Sequence, residues 1–463
     1  LDHLAASGRL PVVAVTDLKQ AYVFLRRVEN RLQAWADRQT HDLPDNELAQ
    51  LRLAHAMGQP DWEVFVNELA RHARAVSQQF AQVFGNAATD AGTHQEELAV
   101  VWGDEPGEEG ALRILAEHGF EDPALAWNRL RALKNGFSYR AMSPRGRERL
   151  DVLVPQVLEA AATEPRPAAT LERVFNLLEA VARRSVYLAL LVEHPQALAQ
   201  LIKLCAASSW IATHLTRYPL LLDDLLNPAT LYAPLDRRRL VSELDQQLAR
   251  VPAGDAEELL NALRYFKQGN VLRVAAADVS GAMPLMIVSD HLTEIAEVLL
   301  RKVLELAWTD LLLRFGPPGC VVDGVKREAR FAVLAYGKLG GIELNYGSDL
   351  DLVFLHDSVG GQQVTAGPRQ IDNTAFFAKL VQRIIHLLTT RTGAGDLYEV
   401  DTRLRPSGRA GLLVSSFEAF AEYQQRQAWT WEHQALARTR AVAGPAVLTE
   451  RFQAIRQEVL GRE

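Results

Sequence analysis

The spacing of apolar residues predicts helices over most of the chain. Within residues 18–84, apolar side chains such as Tyr22, Leu25 and Leu32 recur every three or four positions, which is the spacing of one face of an amphipathic helix. The same spacing resumes over residues 111–249, where strand-like alternation is not evident. The first half of the chain is therefore predicted to be helical.

Two further helices are predicted in the second half of the chain. Ser289 and Asp290 offer an N-cap to a long helix. The buried face of that helix is predicted to contain Leu292, Ile295, Leu299, Val303, Leu306 and Leu313. Another helix over residues 372–390 is expected to pack behind a sheet. Its apolar face is predicted to contain Phe376, Phe377, Leu380, Ile384, Leu387 and Leu388.

A glycine-rich turn follows the first segment that reads as a strand. The apolar run 331–335 leads into the sequence GKLGG at residues 337–341. Because glycine has no side chain, backbone N–H groups in such a turn can approach a phosphate closely. We therefore predict that Gly340 and Gly341 bind phosphate oxygens through their N–H groups, and that Ser348 does so through its hydroxyl.

Three carboxylates are placed to share a metal site. Asp349 and Asp351 open a second apolar strand at positions i and i+2, so their side chains project from one face. The segment 397–404 also alternates as a strand, with Asp401 and Arg403 on the same face. Hard divalent cations prefer carboxylate oxygens. Asp349, Asp351 and Asp401 therefore predict a three-carboxylate cage of the kind used in two-metal phosphoryl and nucleotidyl transfer.

The order of these features resembles a known superfamily. An isolated Asp-x-Asp pattern is a weak signal. Here a glycine turn, paired aspartates and a later strand with Asp and Arg follow one another, which resembles the nucleotidyltransferase superfamily that includes DNA polymerase beta. The resemblance implies an α+β fold, predominantly helical, with a small mixed sheet and helices forming a polymerase beta-like core beside helical bundle regions.

Three longer strings resemble one family closely. They are YGKLGGIELNYGSDLDL (336–352), LYEVDTRLRPSG (397–408) and WTWEHQALARTR (429–440). They are similar to the bifunctional glutamine synthetase adenylyltransferase/adenylyl-removing enzymes, whose two related halves remove and attach AMP. The residues at positions that differ between the two halves, including Ser407 after Pro406, resemble those of the half that attaches AMP.

That resemblance implies a reaction and its regulators. The chain is expected to transfer AMP from ATP to a tyrosine hydroxyl of glutamine synthetase, with glutamine and the PII signal protein as effectors. Two Mg²⁺ ions would be held by the three aspartates, and Asp401 is the hypothetical acceptor of the phenolic proton. Lys338, Arg403 and Arg405 are expected to stabilise charge on the departing pyrophosphate.

The resemblance also divides the chain into four predicted parts. Residues 1–88 resemble the helical tail of the preceding adenylyl-removing half, and residues 89–110 read as a linker. Residues 111–316 are expected to form the helical region of the adenylylating half. Residues 317–463 are expected to form the nucleotidyltransferase core, truncated at its carboxyl-terminal end.

Two groups of residues are predicted to be structural. The segment 264–278 also matches the family, and its basic residues are interpreted as lying on a helix surface rather than at the nucleotide. The aromatic side chains of Tyr423, Trp429 and Trp431 are interpreted as core.

Composition narrows the classes of function. Fifty Lys and Arg against 57 Asp and Glu give a net charge of −7, which disfavours general nucleic-acid binding. Cys205 and Cys320 form no CxxC pattern, so a reducing compartment, the cytoplasm, is expected. No uncharged apolar run of about 18 residues suggests a membrane span. Neither a P-loop nor a Rossmann fingerprint occurs, which argues against kinase or ATPase chemistry.

Three rival interpretations stay open. The same core could run the reverse chemistry, phosphorolytic removal of AMP. The chain could instead be a non-catalytic regulatory fragment that binds a PII-type signal protein. A PII uridylyltransferase shares the superfamily core and would prefer UTP to ATP.

Overall fold

The computed structural model describes residues 12–36, 43–44, 46–72, 88–281 and 283–461. These residues are mostly helical, with two small sheets. They belong to two compact units, Leu1–Glu105 and Pro106–Glu463. The prediction of a helical tail over 1–88 falls partly on residues 1–11, 37–42, 45 and 73–87, which lie outside the described residues.

The described part of the first unit is helical. Its helices are α1 (Val12–Ala36), α2 (Glu47–Ala56), α3 (62–72) and α4 (Ala88–Gly103). Leu32 of α1 packs in a core cluster with Leu53 and Phe65, as the helical spacing predicts. Tyr22 was expected on the apolar face, but it is 66% exposed. The segment predicted as a linker contains most of α4, and the four-part domain division stays a prediction.

The second unit begins with a long series of helices. They are α5 (Gly107–Glu117), α6 (Pro123–Asn135), α7 (Phe137–Arg140), α8 (Pro144–Ala162), α9 (Pro167–Val181), α10 (Ser185–Glu193), α11 (Pro195–Ala207), α12 (Ser209–Arg217), a 3₁₀ helix (Pro219–Leu226), α13 (Pro228–Leu231), α14 (Arg237–Leu248), α15 (Ala256–Val279) and α16 (Leu285–Phe315). Several begin with proline, which has no N–H to leave unpaired in the first turn. The prediction of helices over 111–249 is confirmed.

The long helix α16 starts earlier than predicted. It follows Pro284, and the N–H of Val288 already donates to the Pro284 carbonyl at 3.3 Å, so Ser289 lies inside the helix rather than at its N-cap. Leu292 and Val303 are buried as expected. Leu313 is 81% exposed, because the last turn of α16 presents it to solvent, and its placement on the buried face was wrong.

Among the described residues, eight strands form two sheets. They are β1 (Pro318–Val322), β2 (Val325–Glu328), β3 (Phe331–Ala335), β4 (Leu350–His356), β5 (Gly361–Thr365), β6 (Val400–Asp401), β7 (Val414–Ser416) and β8 (Arg440–Ala443). The three-stranded sheet has the order β2-β1-β5 and is antiparallel. The second sheet has the order β6-β4-β3-β8, with β7 also pairing with β4. β3 is antiparallel to β4 and β8, whereas β6 and β7 are parallel to β4.

Helices cover both faces of the five-stranded sheet. The remaining helices are α17 (Gly337–Gly340), α18 (Asn373–Thr389), a 3₁₀ helix (Gly408–Ala410), α19 (Phe417–Arg426), α20 (Thr430–Ala437) and α21 (Ala446–Leu460). The ring of Phe377 in α18 stacks on Phe331 of β3 at 5.9 Å, which confirms the helix predicted to pack behind the sheet. On the other face, Val353 of β4 clusters with Phe420 of α19 and Phe452 of α21.

Two tryptophans predicted as core are exposed. Trp429 is 69% exposed and Trp431 is 55% exposed. They lie at the start of the short helix α20, which buries Glu432 and Leu436 instead. Among the described residues, no helix is both long and apolar enough to cross a bilayer.

Candidate active site

Three carboxylates meet at one edge of the five-stranded sheet. Asp351 lies in β4 and is the register partner of Asp401 in β6, while Asp349 directly precedes β4. Burial raises the pKa of Asp351, and the negative charges of Asp349 and Asp401 raise it further. The three side chains are thus close enough to repel one another. Such a group of oxygens is suited to a hard cation.

Asp401 is paired with Arg403. The Arg403 Nε donates to Asp401 Oδ2 at 2.6 Å, and its backbone N–H donates to Oδ1 at 2.8 Å. The hydrogen bond from the guanidinium lowers the pKa of Asp401. Within the described ranges, no three His, Cys, Asp or Glu side chains are arranged to hold a metal ion. The predicted cage is therefore not closed in this structure.

The strand predicted over 397–404 is much shorter. Only Val400–Asp401 pairs with β4, and the chain then turns. Arg405 is buried inside that turn and makes four hydrogen bonds to it, among them Nη1 to the Thr402 carbonyl at 2.8 Å and Nε to the Gly411 carbonyl at 3.2 Å. These bonds use most of its donors to shape the loop, but Arg405 also lines the cavity beside Asp401, so its assignment to phosphate oxygens stays a prediction.

The glycine turn forms the short helix α17. The N–H of Gly340 donates to the Tyr336 carbonyl at 2.9 Å, and the N–H of Gly341 donates to the Gly337 carbonyl at 3.0 Å. These N–H groups are engaged in the turn, so the prediction that they bind phosphate is not supported. The glycine at position 340 is needed for packing, because a Cβ there would lie 2.3 Å from the Arg438 carbonyl oxygen.

Two other predicted residues do lie beside the carboxylates. The positive charge of Lys338 lowers the pKa of Asp351, opposing the larger effect of burial, so the ammonium is near the carboxyl. Ser348 lines the same cavity as Asp349. Its hydroxyl accepts a hydrogen bond from the N–H of Asn345 at 3.0 Å and still has a proton to donate.

Arg440 supports the glycine turn from behind. Its Nη2 donates to the Leu339 carbonyl at 2.9 Å and its Nε to the Gly340 carbonyl at 3.2 Å, while Nη1 pairs with Glu297. Glu297 is buried in α16 and also pairs with Arg237 at 2.6 Å. The end of α17 is thereby fixed to the long helix.

Two cavities meet at the carboxylates. One, of about 610 Å³, is lined by Asp349, Asp401, Arg403 and Arg409. The other, of about 360 Å³, extends from Asp349 to α12 and α15. Asp349 and Glu399 line both cavities. A substrate in either cavity would therefore contact the carboxylate group.

The basic residues of 264–278 are not on a helix surface. Arg264 is fully buried and donates to the Gly395 and Leu260 carbonyls, each at 2.7 Å. Lys267 lines the smaller cavity. The interpretation of this segment as a solvated face was wrong, because α15 runs through the middle of the second unit. The family-like string at these positions was the signal that could have identified Lys267.

The site lies within a segment that matches a known protein family. The family model described as glutamate-ammonia ligase adenylyltransferase matches residues 198–455. The chain belongs to this family. The segment matched by the glutamate-ammonia ligase adenylyltransferase model contains all eight strands, α12 and α15. A second family model, GlnD PII-uridylyltransferase, matches residues 1–84.

Three curated relatives of this chain carry the same name. The chain is 54% identical to a bifunctional glutamine synthetase adenylyltransferase/adenylyl-removing enzyme of Thioalkalivibrio sulfidiphilus, over all of this chain and 48% of the relative. Identically named proteins of Nitrosococcus oceani and Pseudomonas putida are 50% and 47% identical over the same shares. The chain thus spans about half the length of these relatives.

Proposed function

We propose that this chain transfers AMP from ATP to a tyrosine hydroxyl of glutamine synthetase, releasing pyrophosphate and so regulating nitrogen assimilation. This proposal rests on the cluster of Asp349, Asp351 and Asp401, which lies inside the segment that matches the adenylyltransferase family. The relatives' name states that glutamine synthetase is their adenylylated protein. We extend that substrate to this chain.

We further propose that the five-stranded sheet is a polymerase beta-like nucleotidyltransferase core. The antiparallel pair β3 and β4, joined through the glycine turn, supports this assignment. So does the third carboxylate, which arrives on β6 beside the first two. Helices on both faces of the sheet hold this edge in place.

We propose Mg²⁺ as the cation at this edge, although the three carboxylates are not arranged to hold it in this structure. Asp349, Asp351 and Asp401 would hold two ions, and a cation there would relieve the repulsion that raises the pKa of Asp351. When bound in such a site, Mg²⁺ neutralises phosphate charge and activates the attacking hydroxyl. Binding requires Asp401 to exchange its hydrogen bonds with Arg403 for the cation.

The chain's own cations would act on the phosphates. Lys338 and Arg403 are close enough to Asp351 for their charges to lower its pKa, and we assign both to the charge that develops on the leaving pyrophosphate. Ser348 is assigned to a phosphate oxygen through its hydroxyl. Asp401 is not assigned the phenolic proton, because a carboxylate that holds a divalent cation is a weak base.

The regulators of the reaction and its location in the cell are also part of the proposal. We propose a PII-type signal protein and glutamine as effectors, and the match of residues 1–84 to GlnD PII-uridylyltransferase supports a link to PII. We place the reaction in the cytoplasm. The two cysteines, Cys205 and Cys320, are free and buried, which fits a reducing compartment.

The test is AMP transfer to purified, unmodified glutamine synthetase. The chain is incubated with α-labelled ATP and Mg²⁺, and the synthetase is analysed by mass spectrometry. We expect an AMP adduct on a tyrosine, and none with Asp349→Asn. Asp290→Asn is the matched control, since Asp290 is exposed on α16. Transfer by Asp349→Asn at the wild-type rate would refute the site.

Adenylyl removal is the second candidate, because the relatives' name includes it. Incubation with adenylylated synthetase and phosphate tests it, and release of ADP would assign this chain the removing activity. Label transferred from UTP rather than ATP would instead indicate a uridylyltransferase. Absence of any transfer, with intact ATP binding, would indicate a regulatory fragment.

A further inference from the structure

The smaller cavity shares Asp349 and Ser348 with the site described above, but its aromatic and basic side chains have no role in that chemistry. It has a volume of about 360 Å³, within the range of small-molecule sites. Its walls come from α12, α15, the residues just before β4 and the segment 391–399. Because Asp349 lines it, a ligand in this cavity reaches the carboxylates directly.

One wall of the cavity is aromatic. The ring of Trp210 lies 4.6 Å from that of Tyr346 and 4.7 Å from that of His214, nearly parallel to the latter. Burial lowers the pKa of His214 to about 4, so the imidazole is neutral at pH 7, and its Nε2 lies 3.3 Å from the Gln268 carbonyl oxygen. This wall offers flat uncharged surface, the kind on which a nucleobase stacks.

Positively charged side chains line another part of the cavity. The Lys267 ammonium lies over the ring of Tyr398, 4.1 Å from its centroid. Burial lowers the pKa of Lys267 to about 8, against the opposing charge of Asp396, which also lines the cavity, while the charge of Arg217 lowers it further. Arg217 and Arg391 also line the cavity. A partly buried ammonium with cationic neighbours gains stability when an anion binds beside it.

We propose that this cavity binds the nucleotide of the transfer reaction, with its base against Trp210 and Tyr346 and its phosphates beside Lys267 and Asp349. The inference rests on the proposed nucleotidyl transfer and deepens it by naming the base site. It assigns Trp210 to the base and Lys267 to the charge of the phosphates. The two assignments have different experimental signatures.

The test is calorimetric binding of α,β-methylene-ATP and of inorganic tripolyphosphate, each with Mg²⁺, to the whole chain. Trp210→Ala should weaken binding of the nucleotide analogue about tenfold or more, the range for loss of one stacked base, and leave tripolyphosphate within about twofold. Lys267→Met should weaken both ligands. A general disturbance of the fold would not separate the two ligands in this way.

A matched control is available elsewhere in the second unit. Lys203 also lies over a tyrosine ring, that of Tyr232 at 5.7 Å, but it does not line the cavity. Lys203→Met should leave both affinities unchanged. If Trp210→Ala lowers the melting temperature, the binding measurement is repeated with Trp210→Leu, which keeps an apolar side chain in place but removes the aromatic ring.

The outcomes separate this inference from the function on which it rests. Unchanged affinity for the analogue in both Trp210 variants would overturn the base site, even if AMP transfer proceeds. Selective loss of analogue binding in a chain that transfers no AMP to glutamine synthetase would support the base site and overturn the proposed function.

Discussion

Gly337 lies directly against Asp351. A Cβ at position 337 would stand 2.1 Å from Oδ2 of Asp351, and Gly337 has a φ of +55°, in the left-handed region that L side chains disfavour. Two separate requirements therefore select glycine at the start of the turn. The position of this turn and the position of the central carboxylate are linked by direct contact.

Substituting Gly337 should disable the site with modest loss of stability. In Gly337→Ala the new methyl group must displace the Asp351 carboxylate, and we expect kcat for AMP transfer to fall about 100-fold, because displacements near 1 Å in a site have that effect. Gly361→Ala in β5 of the other sheet is the control, since a Cβ there meets nothing within 4 Å. Wild-type kinetics in Gly337→Ala would contradict the steric argument.

The buried carboxylate of Glu297 should contribute strongly to stability. Glu297→Gln leaves Arg237 and Arg440 without their charged partner, and we expect the free energy of unfolding to fall by about 3 kcal/mol. Glu305→Gln, on the same helix, removes an exposed pair with Lys302 and should cost less than about 1 kcal/mol. Denaturant titration measures the free energy of unfolding of both variants. A loss in Glu297→Gln as small as the loss in Glu305→Gln would show that the Glu297 network is dispensable.

Stability should decrease on mild acidification through His356. Burial lowers the pKa of His356 to about 4, and its ring stacks on Phe377 at 4.5 Å. The unfolded chain takes up a proton below about pH 6.5, so stability is present above that pH and is lost as pH falls from about 6.5 to 4, by up to about 3 kcal/mol.

The variant His356→Asn isolates this contribution. An asparagine oxygen can accept the hydrogen bond that His356 Nδ1 now accepts from the N–H of Ser358 at 3.2 Å, but it does not titrate. The free energy of unfolding, measured by denaturant titration between pH 4 and 7, should therefore depend less steeply on pH in the variant. Identical slopes would exclude His356 as a source of acid sensitivity.

Mg²⁺ should stabilise the folded chain through Asp351. At a concentration 100 times its dissociation constant, a cation that binds only the folded state adds about 2.7 kcal/mol, seen as a higher melting temperature. In Asp351→Asn this increase should be lost. Without Mg²⁺ the same variant should be somewhat more stable than wild type, because burial and the neighbouring carboxylates raise the pKa of Asp351 and thus oppose its ionisation. An unchanged Mg²⁺ effect would place the cation elsewhere.

Local periodicity was enough to predict most of the helices and the strands β3 and β4. The helix α18 follows from apolar residues that recur every three to four positions. The shared face of Asp349 and Asp351 follows from their spacing of two residues in a strand. The partners of long side chains do not. Arg405 turns inward to the loop carbonyls, and Arg264 is buried beside residues more than 120 positions away. Such contacts depend on tertiary packing, which no short pattern contains.

The N–H groups of Gly340 and Gly341 were misassigned for a related reason. Glycines suggested a loop open to phosphate, but four residues were sufficient to close one helical turn. The tryptophans at 429 and 431 were misplaced because apolar character alone does not say which side of a short helix meets the sheet.

The pairing of Asp351 with Asp401 has a consequence for how the molecule matures. Parallel strands cannot be joined by a tight turn, and here the chain forms β5 and α18 before it returns with β6. Closing such a long loop is entropically costly and slows folding. Asp401 can therefore join Asp349 and Asp351 only when the crossover through β5 and α18 has closed.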